Sequence, residues 1–359
     1  MLAFLWLFLL AHERINAAAE AQKFSAMFAF GDSLIDHGNN NYLQYSLAKA
    51  NYVPYGVDFD QGVPTGRFCN GRTIIDFLGE LLGFPMLPPY TAATGKNILK
   101  GVNYASAAGG ILDETGRNLG QRFSLTDQVA SFRDTLNQIK AMMGGEEELN
   151  HYLANSLVVM VLGSNDYINN YLQPSFYTSS YIYNPQQYAD LLIKLYTRQI
   201  LELHSFGLKK FVLGGIGPLG CIPNQLATGL VQPGKCFSFA NDIVGMFNMR
   251  LRSLVDQFNR DYNGSIFVYG NSFGAVMDVI TNATKYGITV TDRACCGIGR
   301  NEGQITCLPL SVPCANRNQY VFWDAFHPTQ IVNQILATRA YSGTPSDCYP
   351  INIQQMAKL

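Results

Sequence analysis

Phe28-Ala29-Phe30-Gly31-Asp32-Ser33-Leu34, followed by Asp36, Gly38, Asn39 and Asn40, is the stretch from which the fold can be read. A short apolar run ends abruptly in Gly-Asp-Ser and then in a cluster of turn formers. That pattern is a strand whose C-terminal end delivers one serine to the rim of a sheet. Most serines in such places are helix caps, so the partners of this one decide its meaning. Near the other end of the chain stands Trp323-Asp324-Ala325-Phe326-His327-Pro328, an aspartate and a histidine three residues apart. Serine, histidine and aspartate are the parts of an acyl-transfer nucleophile.

The chain between them predicts how they meet. Leu157-Val158-Val159-Met160-Val161-Leu162 is a continuous apolar run, as in a parallel strand buried on both faces, and it ends in Gly163-Ser164-Asn165-Asp166. Phe211-Val212-Leu213 ends in Gly214-Gly215, and Ile266 to Tyr269 forms a further strand. Residues 101 to 111 predict a short strand running into a glycine-containing turn. Helices are predicted from Thr73 to Leu82, Ser124 to Met143, Pro185 to His204, Ala240 to Tyr262 and Thr329 to Tyr341. Residues 41 to 72, rich in Tyr, Asn, Pro and Gly, predict a long rim loop. Glu146 to Glu148 read as a solvated turn or helix start, and residues 170 to 184 as a segment able to cover the rim. Strands alternating with long helices make an α/β fold, a three-layer α/β/α sandwich with a mainly parallel sheet. Ligands of such sheets bind outside the carboxyl ends of the strands, where all three polar strand ends converge.

Composition narrows the field. Of 359 residues, 48% are hydrophobic and 14% charged, enough apolar material for a sizeable core. A net charge of −1 gives no electrostatic case for a nucleic-acid partner. Leu2 to Leu10 is too short to span a bilayer, which needs about 20 residues, and Ala17-Ala18-Ala19 offers small residues before Glu20. Residues 1–19 therefore read as a signal peptide, although no Lys or Arg precedes the apolar run, and 20–359 as a single domain. Eight cysteines, none in the leader, and sequons at Asn263 and Asn282 suit a secreted protein. Ala357-Lys358-Leu359 faintly echoes a peroxisomal address and is outweighed by the leader and the cysteines. No other stretch is long and apolar enough to anchor the chain in a membrane, and nothing indicates an oligomeric state.

A serine hydroxyl needs a base. Of the five histidines, His12 lies at the leader, His151 lacks a polar cluster, His204 ends a helix where a cation meets the dipole, and His37 orders its own loop. His327 differs: a local Asp-x-x-His turn lets Asp324 hold one ring nitrogen while the other faces outward. Oxyanion donors, worth ~3 to 4 kcal/mol each, are available at the Ser33 backbone N–H, the Gly110 backbone N–H (Gly109 in reserve) and the Asn165 side-chain amide.

Gly31-Asp32-Ser33-Leu34, Gly101-Val102-Asn103-Tyr104-Ala105-Ser106, Gly163-Ser164-Asn165-Asp166-Tyr167 and Asp324-Ala325-Phe326-His327-Pro328-Thr329 together resemble the ordered blocks of the GDSL esterase/lipase family, or SGNH hydrolases. Gly66-Arg67-Phe68, Gly217-Pro218-Leu219-Gly220-Cys221 and Ala294-Cys295-Cys296-Gly297 resemble its secreted plant-type branch. The resemblance runs from about residue 25 to about residue 342. It implies a flavodoxin-like SGNH sandwich and hydrolysis of acyl esters, lipid or other, by Ser33 as nucleophile, His327 as base and Asp324 as orienter. It also implies oxyanion donors at Ser33, Gly110 and Asn165, no metal or other cofactor, and an extracellular location, apoplast or cell wall in a plant. Family members carry further glycines where this chain has Ala107 and Ala108. The serine does not sit in Gly-x-Ser-x-Gly, and no zinc spacing is present. The cysteines are expected to pair as Cys221–Cys236, within the 295 to 314 group, and as Cys69–Cys348. An acyltransferase using the same acyl-enzyme, and a non-catalytic binding or defence-associated protein, are the competing functions.

Overall fold

The computed structural model describes residues 24–359; the predicted signal peptide at 1–19 lies outside them. Four parallel strands form the centre: β1 (Met27–Gly31), β2 (Leu157–Val161), β3 (Lys210–Gly214) and β4 (Ile266–Gly270), paired in that order. Gly31 lies beside Val161, so the ends carrying Ser33 and Asn165 are neighbours.

The sheet buries both faces, and the strand side chains alternate between them. Phe28, Phe30, Val158, Met160, Phe211, Leu213, Phe267 and Tyr269 enter one core. Helices α2 (Leu125–Met142), α4 (Pro185–Ser205) and α5 (Ser238–Asp261) cover it with Phe132, Tyr196 and Phe247 among others. Met27, Ala29, Leu157, Val159, Val212 and Val268 enter the opposite core, under α1 (Ile74–Leu82). Helix α7 (Gln330–Ser342) packs on α1. Each such side chain, fully buried, contributes about 1.5–3 kcal/mol. The result is the predicted three-layer α/β/α sandwich.

Local chemistry starts the helices where the sequence signals them. Capping boxes pair Thr73 with Asp76, Ser124 with Asp127 and Asn184 with Gln187, and Pro185 occupies the first turn of α4. The acidic run from Glu146 is the first turn of helix α3 (Glu146–Ala154), where carboxylates favour the N-terminal dipole.

The segment predicted as a strand over 101–111 is shorter than expected. Asn103 bridges Ala29 in parallel, with Tyr104 N–H donating to Ala29 O and Ser106 N–H to Gly31 O. Gly101 enters at φ +118, and a Cβ there would lie 1.9 Å from Met27 O. The chain turns away again at Ala107. Counting this segment as a strand beyond β1 gives the 2-1-3-4-5 order of flavodoxin-like sheets. Their ligand crevice opens between the first and third strands in that numbering, here β1 and β2.

Besides short helical turns, four elements of the described residues go beyond the sequence reading. Helix α6 (Ser272–Thr281) follows β4. Strands β5 (Val290–Ala294) and β6 (Tyr320–Phe322) form a separate parallel pair, and β7 (Cys348–Tyr349) closes the main sheet antiparallel to β4. Cys221–Cys236, Cys295–Cys314 and Cys296–Cys307 are disulfides, the last two within the group expected to pair internally. Cys69–Cys348 is not formed, and both thiols are free and buried. Cys69 lies beside the start of α7, where Gln330 N–H reaches Asn70 Oδ1. Cys348 Sγ instead faces Ala340 O near the helix's end. Ten residues of helix, roughly 15 Å, separate those points, far beyond the span of a disulfide.

Candidate active site

The turn after β1 is fixed by its own polar residues. Ile35 and Asp36 N–H both return to Asp32 O, and Asp32 Oδ1 accepts Leu34 N–H. Asp36 accepts the N–H groups of Gly38 and Asn39 at 2.7 Å and of Ala107 at 3.1 Å. Asn39 Nδ2 donates to Asn103 O and Ala105 O, and Asn40 Nδ2 to Ala107 O. Ser106 Oγ donates to Asn40 Oδ1 at 2.5 Å. The turn formers after the serine thus rivet its loop to the 103–107 segment and hold Ser33 at the crevice, half-buried.

The second half of the site comes from the turn after β6. Trp323 N–H donates to His327 O and Cys296 N–H to Trp323 O, which ties this turn to the disulfide-linked segment. Asp324 is fully buried; its Oδ1 accepts the N–H groups of Phe326 and His327 at 2.9 and 2.8 Å. His327 Nδ1 lies 2.8 and 2.9 Å from the two carboxylate oxygens, and Nε2 lies 2.7 Å from Ser33 Oγ. Nδ1 beside a carboxylate carries the proton, which leaves Nε2 to accept from the serine.

Tyr55, from the rim loop, donates to Asp324 Oδ2 at 2.6 Å. Burial pushes the Asp324 pKa up, but the His327 charge and the hydrogen bonds from His327, Tyr55 and Phe326 outweigh it, so the carboxyl stays below its ordinary range. Phe68 packs on the His327 ring with centroids 5.1 Å apart. Tyr55 carried no signal in the sequence, being one of twenty tyrosines and 269 residues from its partner.

Asn165 stands at the end of β2 with its amide oriented at both ends. Oδ1 accepts from Asn169 Nδ2 at 2.7 Å, and Nδ2 donates one hydrogen to Gly109 O at 2.9 Å. Among the described residues its other amide hydrogen has no partner. Gly110 sits one step behind, its carbonyl accepting Leu125 N–H, and it does not line the cavities that meet at Ser33. Ala107 and Ala108 do, and Ala108 holds the left-handed φ of +65. Gly109 N–H is taken by Ser106 O.

Two carboxyls beside the site are strained by burial. Asp32 is pushed up to about 7, and its Oδ2 has no hydrogen-bond partner among the described residues. Asp166 is pushed up to about 6 by burial despite donors from Leu112, Ile111 and Thr115. His37 lies away from the serine, between Leu87 O and Thr73 Oγ1, with its pKa pushed down to about 4 by burial and by Arg67. Arg67 itself grips Asp76 with two 2.8 Å bonds.

Two cavities meet at Ser33, of about 890 and 730 Å³ counted to their open mouths. The larger is walled by Leu34, Ile168, Ile216, Leu219, Val276 and Phe326, among other apolar side chains. The smaller presents Lys49, Tyr52, Asn169 and Thr306. Ile168 and Asn169 reach these walls, whereas residues 170 to 184 contribute none.

The sequence matches the GDSL-like lipase/acylhydrolase family over residues 27–340. Two Arabidopsis thaliana GDSL esterase/lipases are each 56% identical to it, over 99% and 93% of this chain and 93% and 89% of their own. GDSL esterase/lipase 7 of the same plant is 50% identical over 93% of this chain and 92% of its own. The matched span takes in both ends of the site, from β1 to α7, and this chain belongs to the GDSL-like lipase/acylhydrolase family of ester-hydrolysing enzymes.

Proposed function

We propose that the chain is a secreted carboxylic ester hydrolase in which Ser33 attacks the acyl carbon, His327 accepts its proton at Nε2, and Asp324 orients and stabilises the resulting imidazolium. The observation that carries this reading is the unbroken chain from Ser33 Oγ through His327 to a fully buried Asp324. His327 then protonates the leaving alcohol, and water, activated by the same nitrogen, releases the acid.

The oxyanion is assigned to the Ser33 backbone N–H, the free Asn165 amide hydrogen and one N–H of the 107–110 turn. Within that turn Ala108 and Gly110 both have unpartnered N–H groups among the described residues. Ala108 is the better candidate because it lines the cavity beside Ser33 and His327. The apolar cavity suits the acyl chain, and the more polar one the alcohol side. Secretion is supported by the three disulfides and the exposed sequon residues Asn263 and Asn282.

The test is hydrolysis of p-nitrophenyl acetate, butyrate and longer esters by the wild type and by Ser33→Ala. The variant is expected to lose at least about three orders of magnitude in kcat with its circular dichroism unchanged. Equal rates in the two proteins would remove Ser33 from the mechanism.

A further inference from the structure

The mouth of the more polar cavity is built by two segments far apart in sequence. Leu47, Tyr52 and Thr306 line its wall. Tyr52 OH donates to Cys307 O at 2.9 Å, and Leu310 N–H to Val53 O at 2.8 Å, so the 305–312 segment lies against the rim loop. The outward side of this junction is apolar. Leu310 and Val312 are 83% and 93% exposed, Val53 and Leu308 are exposed on the same two segments, and Leu47 is exposed at the cavity wall.

Charge is sparse along both segments. No Lys, Arg, Asp or Glu occurs between Glu302 and Arg317, and Lys49 is the only one between Asp36 and Asp58. Its ammonium reaches back to Asn41 O. The collar is also held in shape: Cys295–Cys314 and Cys296–Cys307 bracket it, and Leu310 keeps a left-handed φ of +65. A rigid apolar patch continuous with a substrate entrance marks a contact surface. With so little charge of its own along these two segments, it suits an uncharged apolar surface rather than anionic headgroups.

We propose that the collar of Leu47, Val53, Leu308, Leu310 and Val312 seats the enzyme on the uncharged surface of an aggregated acyl ester, from which single ester molecules pass directly to Ser33. This inference rests on the ester-hydrolase reading for its substrate.

The test uses triolein droplets coated with phosphatidylcholine and the double variant Leu310→Asp/Val312→Asp, with Met249→Asp on the exposed face of α5 as control. Aspartate tolerates the left-handed backbone at position 310. Wild type and control are expected to float with the droplets on centrifugation, insensitively to salt. The double variant should lose at least about tenfold in partitioning and in droplet hydrolysis, while keeping its rate on dissolved p-nitrophenyl acetate. Wild-type partitioning by the double variant would overturn the proposal. So would absence of binding by the wild type, binding that requires phosphatidylserine and fails at high salt, or a wild-type dimer that the aspartates dissociate. Loss of the acetate rate in the double variant would also count against it, since the collar would then be serving the site itself. Droplet binding does not require turnover, so a wild type inert toward every ester would refute the hydrolase reading separately.

Discussion

Asp324 receives its second oxygen's hydrogen bond from a phenol that no sequence motif announced. A hydrogen bond to a charged group is worth about 1.5–3 kcal/mol, so Tyr55→Phe should lower kcat roughly tenfold with KM little changed, measured on a short p-nitrophenyl ester. A rise in KM at constant kcat would place Tyr55 in substrate binding instead. Asp32 makes a pH prediction. Burial raises its folded pKa from 3.8 to about 7, so the folded state holds the proton more tightly than the unfolded one. Its contribution is most favourable below about pH 4, declines as pH rises towards 7, and is constant above that. Asp32→Asn removes this dependence. The variant should therefore gain on the wild type between pH 4 and pH 8 by on the order of 4 kcal/mol, several degrees in Tm. An identical Tm difference at both pH values would exclude an ionising Asp32. The serine and the Asp-x-x-His turn were legible because each is a local pattern: a strand that stops, and two residues three apart. Tyr55 and the orphaned oxygen of Asp32 arise only from three-dimensional packing, which leaves no periodicity to read.

The four parallel strands and five of the helices could be placed from sequence because buried parallel strands are unbroken apolar runs and the helices carry apolar periodicity, three of them with capping boxes as well. Strand β5, Val-Thr-Asp-Arg-Ala, is polar and largely uncovered, so no hydrophobic pattern marks it. Helix α6 hides a glycine and several β-branched residues among its ten, which weakens its helical signature. Strand β5 leads into the segment that two disulfides cross-link, beside a small buried cluster containing Trp323. Cys296–Cys307 closes a short loop of 11 residues' separation, for which chain entropy gives about 3 kcal/mol. Cys296→Ala/Cys307→Ala should lower stability by about that amount in urea titration. It should lower activity as well, since Cys296 N–H holds Trp323 O and Thr306 walls the cavity. Unchanged activity in a destabilised variant would show that the catalytic turn is held by β5 and β6 alone.

The molecule as a whole keeps two thiols apart from three disulfides. Alkylation of the native protein should label no cysteine, and denaturation without reductant should expose two, Cys69 and Cys348. Peptide mapping that found them linked would contradict their separation along α7. Burial raises both thiols to about 12, which leaves them poor nucleophiles for disulfide exchange even near neutral pH. The groups of the proposed mechanism are distributed with equal economy: Ser33 follows the first strand, and His327, its proposed base, lies 294 residues later. On a ribosome, synthesis at about 5–20 residues per second separates the two by roughly fifteen seconds to a minute. Throughout that interval the serine is an ordinary alcohol. On the proposed mechanism a nascent chain therefore carries no working nucleophile, and hydrolysis begins only once the segment bearing His327 has emerged and docked.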